Sequence, residues 1–307
     1  LDINSNRILN LPAPVSLQEP LRLQDVPLSV AALVGATVVS SIVSLKTTDL
    51  SIGDYVVCRR YYASGLLVKG LVFEIVAGGT GTDNGGTFHD LVNGNQAQLI
   101  ENSTANALQF GAAVDGLTDS SDVYLKMFAS GAKTIVFPKA TYRGKIVQSA
   151  LAGVSIIFEE GATLQSFTTD QVVAIASSSE VTLTGGEFTT AQRVSRPIAI
   201  TSCTKTTVIN TKVSFATKST YSGAAIYSTA GIYLENCSRC IVQGNESFNI
   251  EGFGVACVGT GEGNEIKHNY IHDNVGGILN NGNSNNHNKI VENDIAFNNV
   301  SGGSGNS

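Results

Sequence analysis

A threefold repeat constrains the fold of this 307-residue chain more than any other feature of its sequence. The segments Val242-Gln243-Gly244-Asn245, Ile266-Lys267-His268-Asn269 and Ile290-Val291-Glu292-Asn293 share one pattern, and the asparagine recurs in steps of 24 residues. The apolar runs are short and often alternating, and Gly, Asn and Asp interrupt them, which is typical of strands and turns. A fixed period of roughly 20–30 residues with this content predicts stacked coils of a parallel β-helix, whose apolar side chains build a shared core.

The repeated asparagines have a structural explanation. We expect Asn245, Asn269 and Asn293 to occupy tight bends in the left-handed conformation, which Asn tolerates better than most residues. Stacked amide side chains also form hydrogen-bonded ladders along the axis of a stack.

The repeat continues towards the N-terminus. Val154, Val181 and Val208 follow one another in steps of 27 residues, and Val242 comes 34 residues after Val208. The longer step predicts an excursion around Ala216–Ala230. Cys203 and Cys237 each lie five residues before a valine of the repeat, so we expect them to be neighbours in the stack.

Composition narrows the function classes. Charged residues are 14% of the chain and the net charge is −6, so the basic footprint of a nucleic-acid-binding protein is missing. The cysteine count is five, which does not fit a disulfide framework. Cys237 and Cys240 form a lone CxxC pair without a second pair at metal spacing, so we expect buried core cysteines and predict neither a metal nor a cofactor.

Both ends of the sequence suggest a piece of a longer protein. The chain starts at Leu1 without a secretion signal. The uncharged stretch Val26–Leu45 is apolar enough to be compared with a membrane span, but its Pro27 and its many small polar residues favour a helix followed by a strand, without membrane insertion. Residues 301–307 show no capping pattern, so we expect further coils, and catalytic residues among them, beyond residue 307.

Residues 3–14 resemble the short repeat that precedes a helix in phage tail fibres and tailspikes, with the pattern I-x-N-L-x-x-P at Ile8–Pro14. The arrangement that starts at Gly53-Asp54-Tyr55-Val56 and ends before the glycine-rich loop at residues 78–86 is similar to the small domain in front of the β-helix of many tailspikes. These two resemblances imply a virion component.

The segment from Phe110 to Asp119 reads F-G-A-A-V-D-G-L-T-D, and the segment from Val136 to Tyr142 reads V-F-P-K-A-T-Y. Together they resemble the opening signature of the pectate-lyase-like β-helix superfamily, with Ala140 in place of the usual Gly. Between them we expect a helix over residues 120–130, with Asp119 as its N-cap and Gly131 as its stop, that covers the open end of the stack.

The predicted fold class is therefore all-β: a right-handed, pectate-lyase-like parallel β-helix with an N-terminal capping helix. A small β domain and a short tail-fibre-like neck precede it. The predicted domains are a neck over 1–45, the small β domain over 46–105 and the capped β-helix over 106–307. The resemblance implies a homotrimeric phage tailspike in the virion tail, joined to a tail or baseplate protein through a part before residue 1, that acts on a polysaccharide at the host cell surface.

Carboxylates on neighbouring coils suggest glycoside hydrolysis, which needs two carboxyl groups roughly 5–10 Å apart. Equivalent positions on successive coils are about 4.8 Å apart, so Glu246 and Asp294, with Tyr270 between them, meet this spacing over two coils. The predicted catalytic residues are Glu246, Glu251, Asp273, Asp294 and His272. The predicted substrate-binding residues are Tyr270, His268, Lys267 and Glu292.

Two other functions fit the same pattern. A polysaccharide lyase, phage-borne or bacterial, would act by β-elimination and needs a base such as His268, His272, Tyr270 or Lys267. A non-catalytic trimeric fibre or adhesin would need only the polar face of the stack.

Overall fold

The computed structural model describes residues 35–62, 68, 71–100, 103–166, 171–190, 196–215, 229–282, 287–296 and 298. These residues form two compact units. The first contains the described residues up to Thr82 together with residues 88–100, and the second contains Asp83–Thr87 and the described residues from Ser103 onwards. The tail-fibre-like phrase at 3–14, most of the excursion at 216–230 and the segment 301–307 lie outside the described residues.

The first unit is a five-stranded sheet with one short helix. Its strands are ordered β1-β2-β3-β5-β4; β1 and β2 are parallel and the other pairs are antiparallel. The elements are β1 (Thr37–Val39), α1 (Ile42–Thr47), β2 (Tyr55–Cys58), β3 (Val72–Val76), β4 (Phe88–Asp90) and β5 (Gln96–Leu99). The sheet thus includes β1, which lies before residue 46. The domain boundaries at 45 and 105 stay predictions.

The segment expected to hold a helix and then a strand is described from residue 35 onwards. In its β-branched second half, Thr37–Val39 form the expected strand β1, whereas residues 42–45 belong to α1, a helix that the sequence pattern did not predict there. The helix expected before β1 lies outside the described residues. In the part of the chain that the structure covers, no helix combines the length and the hydrophobicity needed to cross a membrane.

The second unit is a parallel β-helix built of three sheets, which confirms the fold prediction. Sheet I contains β6 (Thr104–Asn106), β8 (Thr134–Phe137), β11 (Ser155–Phe158), β14 (Thr182–Thr184), β17 (Thr207–Ile209), β20 (Ile241–Gln243), β23 (Glu265–Lys267) and β26 (Lys289–Val291). Sheet II contains β7 (Asp115–Asp119), β9 (Thr141–Arg143), β12 (Thr163–Ser166), β15 (Glu187–Thr190), β18 (Lys212–Phe215), β21 (Glu246–Phe248), β24 (Tyr270–His272) and β27 (Asp294–Ala296). Sheet III contains β10 (Ile146–Ser149), β13 (Val173–Ala176), β16 (Ile198–Thr201), β19 (Ala230–Glu235), β22 (Phe253–Gly259) and β25 (Gly276–Gly282).

The register of sheet I confirms most of the predicted repeat. Val208 pairs with Val242, and Val242 pairs with Ile266, at the predicted steps of 34 and 24 residues. The predicted pairing of Val181 with Val208 is wrong by two residues, because Leu183 pairs with Val208. A shift of two residues keeps side chains on the same face, so the sequence pattern alone did not reveal it.

The interior of the coils is apolar, with small buried thiols among the aliphatic side chains. Cys203, Cys237, Cys240 and Cys257 are all buried and free. The Cys237 thiol donates to the Ile200 carbonyl at 3.2 Å, and the Cys240 thiol lies 3.7 Å from the Cys203 carbonyl. Cys203 and Cys237 are neighbours in the stack, as their equal spacing from the repeat predicted.

The structure confirms the predicted asparagine ladder, but the prediction that the asparagines themselves are left-handed is wrong. The Asn245 amide donates to Asn269 Oδ1 at 2.9 Å, and the Asn269 amide donates to Asn293 Oδ1 at 2.8 Å. The left-handed conformation falls one residue earlier, on Gly244, His268 and Glu292. Asn245 and Asn269 are buried at the inner side of the bend, where they satisfy backbone groups of neighbouring coils.

Helix α2 (Ser121–Ala129) packs against the first coil and begins one residue later than predicted. Its N-cap is Ser120 rather than Asp119, which belongs to β7 and accepts from the Ser121 backbone N–H at 2.9 Å. The buried Tyr124 ring packs against the Phe137 ring in a T-shaped arrangement with a centroid distance of 5.2 Å. The helix ends before Gly131, whose φ of +81° suits glycine as a stop.

We expect Asn269→Ala to lower the free energy of unfolding by about 3 kcal/mol or more, because the Asn245 amide groups and the Val242 carbonyl lose their partners in a buried site. Chemical denaturation measures this change. Asn281→Ala is the control, since the Asn281 side chain is exposed in β25. Equal stability of the two variants would contradict a stabilising ladder.

Candidate functional site

The outward face of sheet II carries two parallel rows of side chains. In β21 and β24 the central residues Ser247 and Ile271 are buried, and the residues on either side point away from the core. One row runs through Lys212, Glu246, Tyr270 and Asp294, and the other through Ser214, Phe248, His272 and Ala296. Side chains that are 24 or 34 residues apart in sequence thus lie on strands about 4.8 Å apart.

His272 lies between two carboxylates. Its Nε2 is 3.2 Å from Glu246 Oε1, and its Nδ1 is 2.8 Å from Asp273 Oδ2. The two carboxylate side chains are 35% and 41% exposed, whereas the imidazole is only 14% exposed. The imidazole is therefore an internal bridge, and the carboxylates are the groups that a substrate can reach.

Two aromatic rings fix the plane of this imidazole. The Phe248 ring is parallel to it, with a centroid distance of 5.3 Å and an interplanar angle of 1°. The Tyr270 ring lies at 4.2 Å and 25°. Tyr270 itself is 41% exposed, so part of its surface is open to a ligand beside the carboxylates.

Lys212 and Phe248 belong to this cluster, and the sequence pattern around residues 242–298 did not indicate either of them. Lys212 Nζ is 3.4 Å from Glu246 Oε2 and lies 5.0 Å from the centre of the Phe248 ring. Phe248 precedes His272 by one 24-residue step, so the repeat could have indicated it. Lys212 precedes Glu246 by 34 residues, the same step that separates Val208 from Val242, so this longer step is the signal that could have found it.

The structure brings Glu246, Tyr270, His272 and Asp273 together. Asp294 follows in the same row as Glu246 and Tyr270, two coils from Glu246, as predicted. Glu251 lies in the bend between β21 and β22 and is half-buried. We therefore define the sheet II cluster as Lys212, Glu246, Phe248, Tyr270, His272 and Asp273.

The other predicted binding residues lie apart from these contacts. His268 Nδ1 is 3.2 Å from Glu292 Oε2 in the bends that join sheet I to sheet II, where both residues are left-handed. Lys267 lies on sheet I, and its Nζ is 2.8 Å from Glu265 Oε2. This hydrogen bond holds the pKa of Glu265 below its ordinary value.

The distance between the bridged carboxylates has a chemical meaning. Glu246 and Asp273 are separated by one imidazole ring and hydrogen bonds of 3.2 and 2.8 Å. The imidazole fills the space between the two carboxylates, so their separation exceeds the about 5–5.5 Å between the carboxyl groups of retaining glycosidases. Within the described residues, no group of His, Cys, Asp and Glu side chains is arranged to hold a metal ion.

A family model described as "right handed beta helix region" matches residues 151–307. The chain therefore belongs to the right-handed β-helix family, which also establishes the predicted handedness. Among curated proteins, none matches the sequence.

The chain is also similar to solved structures at low sequence identity. A protein from Parabacteroides merdae is 9% identical, with a TM-score of 0.46 over 63% of this chain and 96% of its own. A glycan biofilm modifying enzyme of Pantoea stewartii with a tailspike-like β-helix is 13% identical, with a TM-score of 0.43 over 86% of this chain and 48% of its own. The tailspike of Acinetobacter baumannii phage AM24 is 13% identical, with a TM-score of 0.45 over 84% of this chain and 55% of its own. The chain thus spans about half the length of the latter two proteins.

We expect His272→Asn to lower the free energy of unfolding by about 1–3 kcal/mol, because a largely enclosed ring and two hydrogen bonds to carboxylates are lost. The same substitution at His268, whose ring is 51% exposed and pairs with an exposed glutamate, should cost less than about 1 kcal/mol. Thermal or chemical denaturation of the two variants measures the difference. A larger loss for His268→Asn would contradict the bridging role of His272.

Proposed function

We propose that this chain is part of a phage tailspike that binds a host surface polysaccharide on sheet II and cleaves it by glycoside hydrolysis. The observation that carries the proposal is the placement of His272 between Glu246 and Asp273, with an exposed aromatic ring beside them. The tail-fibre-like phrase at residues 3–14 supports the assignment to a virion.

Hydrolysis needs two carboxyl groups in different roles. One protonates the oxygen of the leaving sugar, and the other activates a water molecule that attacks from the opposite face of the sugar ring. The imidazole occupies the space between Glu246 and Asp273, so the sugar and the water would bind at the exposed side of the two carboxylates. A whole ring separates these carboxylates, which is wider than in retaining enzymes, so we propose inversion at the anomeric carbon. Tyr270 provides an apolar surface on which one sugar ring stacks while its hydroxyl groups face the carboxylates.

The contacts of His272 favour hydrolysis over β-elimination. A lyase needs a base that is free to take a proton from the sugar. Both ring nitrogens of His272 already face carboxylate oxygens, and the ring is mostly enclosed. Glu246 and Asp273 are more exposed than the imidazole, which supports the proposal that they act as the acid and the base. The role of His272 is therefore to hold the two carboxylates apart.

The assembly and the location belong to the same proposal. A tailspike acts at the host cell surface, is anchored in the phage tail through its N-terminal part, and works as a homotrimer. We expect light scattering on the purified chain to give three times the 32.0 kDa mass of one chain. A monomer at micromolar concentration would contradict a trimer formed by these residues.

We expect Glu246→Gln and Asp273→Asn each to lower kcat by about 10²–10⁴-fold, the usual contribution of a general acid or base. Both changes keep the size of the side chain, and Asn tolerates the left-handed conformation of residue 273. The assay incubates the chain with purified capsular polysaccharides and lipopolysaccharides from candidate hosts and sizes the products by mass spectrometry. Glu180→Gln is the control, because Glu180 forms an exposed pair with Lys205 away from the sheet II cluster.

The products separate the alternatives. Oligosaccharides that have gained one water per cut support hydrolysis, whereas unsaturated ends without that water would establish a lyase. Full activity of both amide variants would remove the proposed site. Binding without cleavage by the wild-type chain would remove the proposed site. Cleavage by a chain extended beyond residue 307 would then place the catalytic residues in further coils, and binding without cleavage by that longer chain would identify a non-catalytic receptor-binding fibre.

A further inference from the structure

We propose that Lys212 is a positioning residue that fixes the orientation of the Glu246 carboxylate; this inference rests on the proposed hydrolytic role of Glu246. Lys212 opens β18 and pairs in register with Glu246 on the following coil. Its ammonium group is 3.4 Å from Glu246 Oε2. The repeat around residues 242–298 does not contain this lysine, because Lys212 lies on the preceding coil.

The carboxylate is held at both of its oxygens by side chains from two different coils. Oε2 faces Lys212 on the preceding coil, and Oε1 faces His272 Nε2 on the following coil at 3.2 Å. The terminal torsion of a glutamate is broad, so a carboxylate with a single contact still turns about its last bond. Contacts at both oxygens fix this torsion, which matters because an acid or base must meet the reacting atom in a defined geometry.

Lys212 is itself held in place. Its ammonium group lies 5.0 Å from the centre of the Phe248 ring, within the range of about 6 Å for a cation–π contact. The same ring is parallel to His272. A closed ring of contacts therefore links Lys212, Glu246, His272 and Phe248, and each side chain touches two others. Removal of the ammonium group should change the environment of the imidazole.

Histidine NMR tests this coupling directly. The chain contains four histidines, so ¹⁵N-histidine labelling gives four imidazole groups, and the His272→Asn spectrum assigns the signal of residue 272. We expect Lys212→Met to shift or broaden the His272 signals and to leave the His268 signals unchanged. Lys212→Arg, which keeps the cation, should restore spectra close to those of the wild type.

Lys205→Met is the matched control. Lys205 and Glu180 form an ion pair at 2.9 Å with side chains 57% and 60% exposed, on another part of the stack. This variant should leave all four imidazole signals in place. Unchanged His272 signals in Lys212→Met would overturn the proposal, as would an equal shift in Lys205→Met.

The kinetic test uses the polysaccharide that the wild-type chain cleaves in the panel. Lys212→Met should lower kcat by about 10- to 100-fold, the cost of a misplaced catalytic group, and change KM by less than about twofold. A higher KM with unchanged kcat would overturn positioning in favour of a substrate contact. If the wild-type chain cleaves no polysaccharide but Lys212→Met still shifts the His272 signals, the proposed hydrolysis fails and the positioning contact stands.

Discussion

The β-helix depends on in-register pairing of parallel strands along its axis. Most strands of sheets I and II are three or four residues long and turn only one or two side chains to the core, so a single coil cannot bury its own apolar side chains. Pairing with the coils on either side satisfies the backbone groups and aligns the inward side chains into continuous rows, such as Val208, Val242 and Ile266. The asparagine ladder supports the same register at the bends, because the Asn269 side chain bonds Asn245 and Val242 on the preceding coil and Asn293 on the following coil.

This pairing also explains how ionisable residues that are far apart in the sequence come together in the sheet II cluster. The side chains of Lys212, Glu246 and His272 come from three successive coils of sheet II. Their relative positions follow from strands that are about 4.8 Å apart and from the two-residue period along each strand. A one-residue slip of β21 would therefore turn Glu246 and Phe248 towards the core and break their contacts with the neighbouring strands. The low charge content makes such a group of ionisable side chains a distinctive feature of this face.

The enclosed position of His272 changes how the cluster is understood. A histidine beside acidic residues in sequence suggests a base, but its ring is stacked with Phe248 and Tyr270 and bridges two carboxylates. Rigid support of this kind keeps reacting groups in their productive geometry. The exposed groups are the carboxylates and the tyrosine, which in the proposed function supply acid–base chemistry and an apolar surface for a sugar ring.

The sequence by itself determined the fold class, the row of Glu246, Tyr270 and Asp294, and the asparagine ladder, because a fixed period with strand-like content allows one way of stacking. It located the capping helix to within one residue. It could not decide the pairing of Val208 with Leu183, since a two-residue shift preserves the pattern of buried and exposed side chains. The steps of 24 and 34 residues place Phe248 and Lys212 in the rows of sheet II, but only the tertiary structure decided that they contact His272 and Glu246 and that His272 is a bridge. Side-chain orientation and enclosure depend on neighbours contributed by other coils.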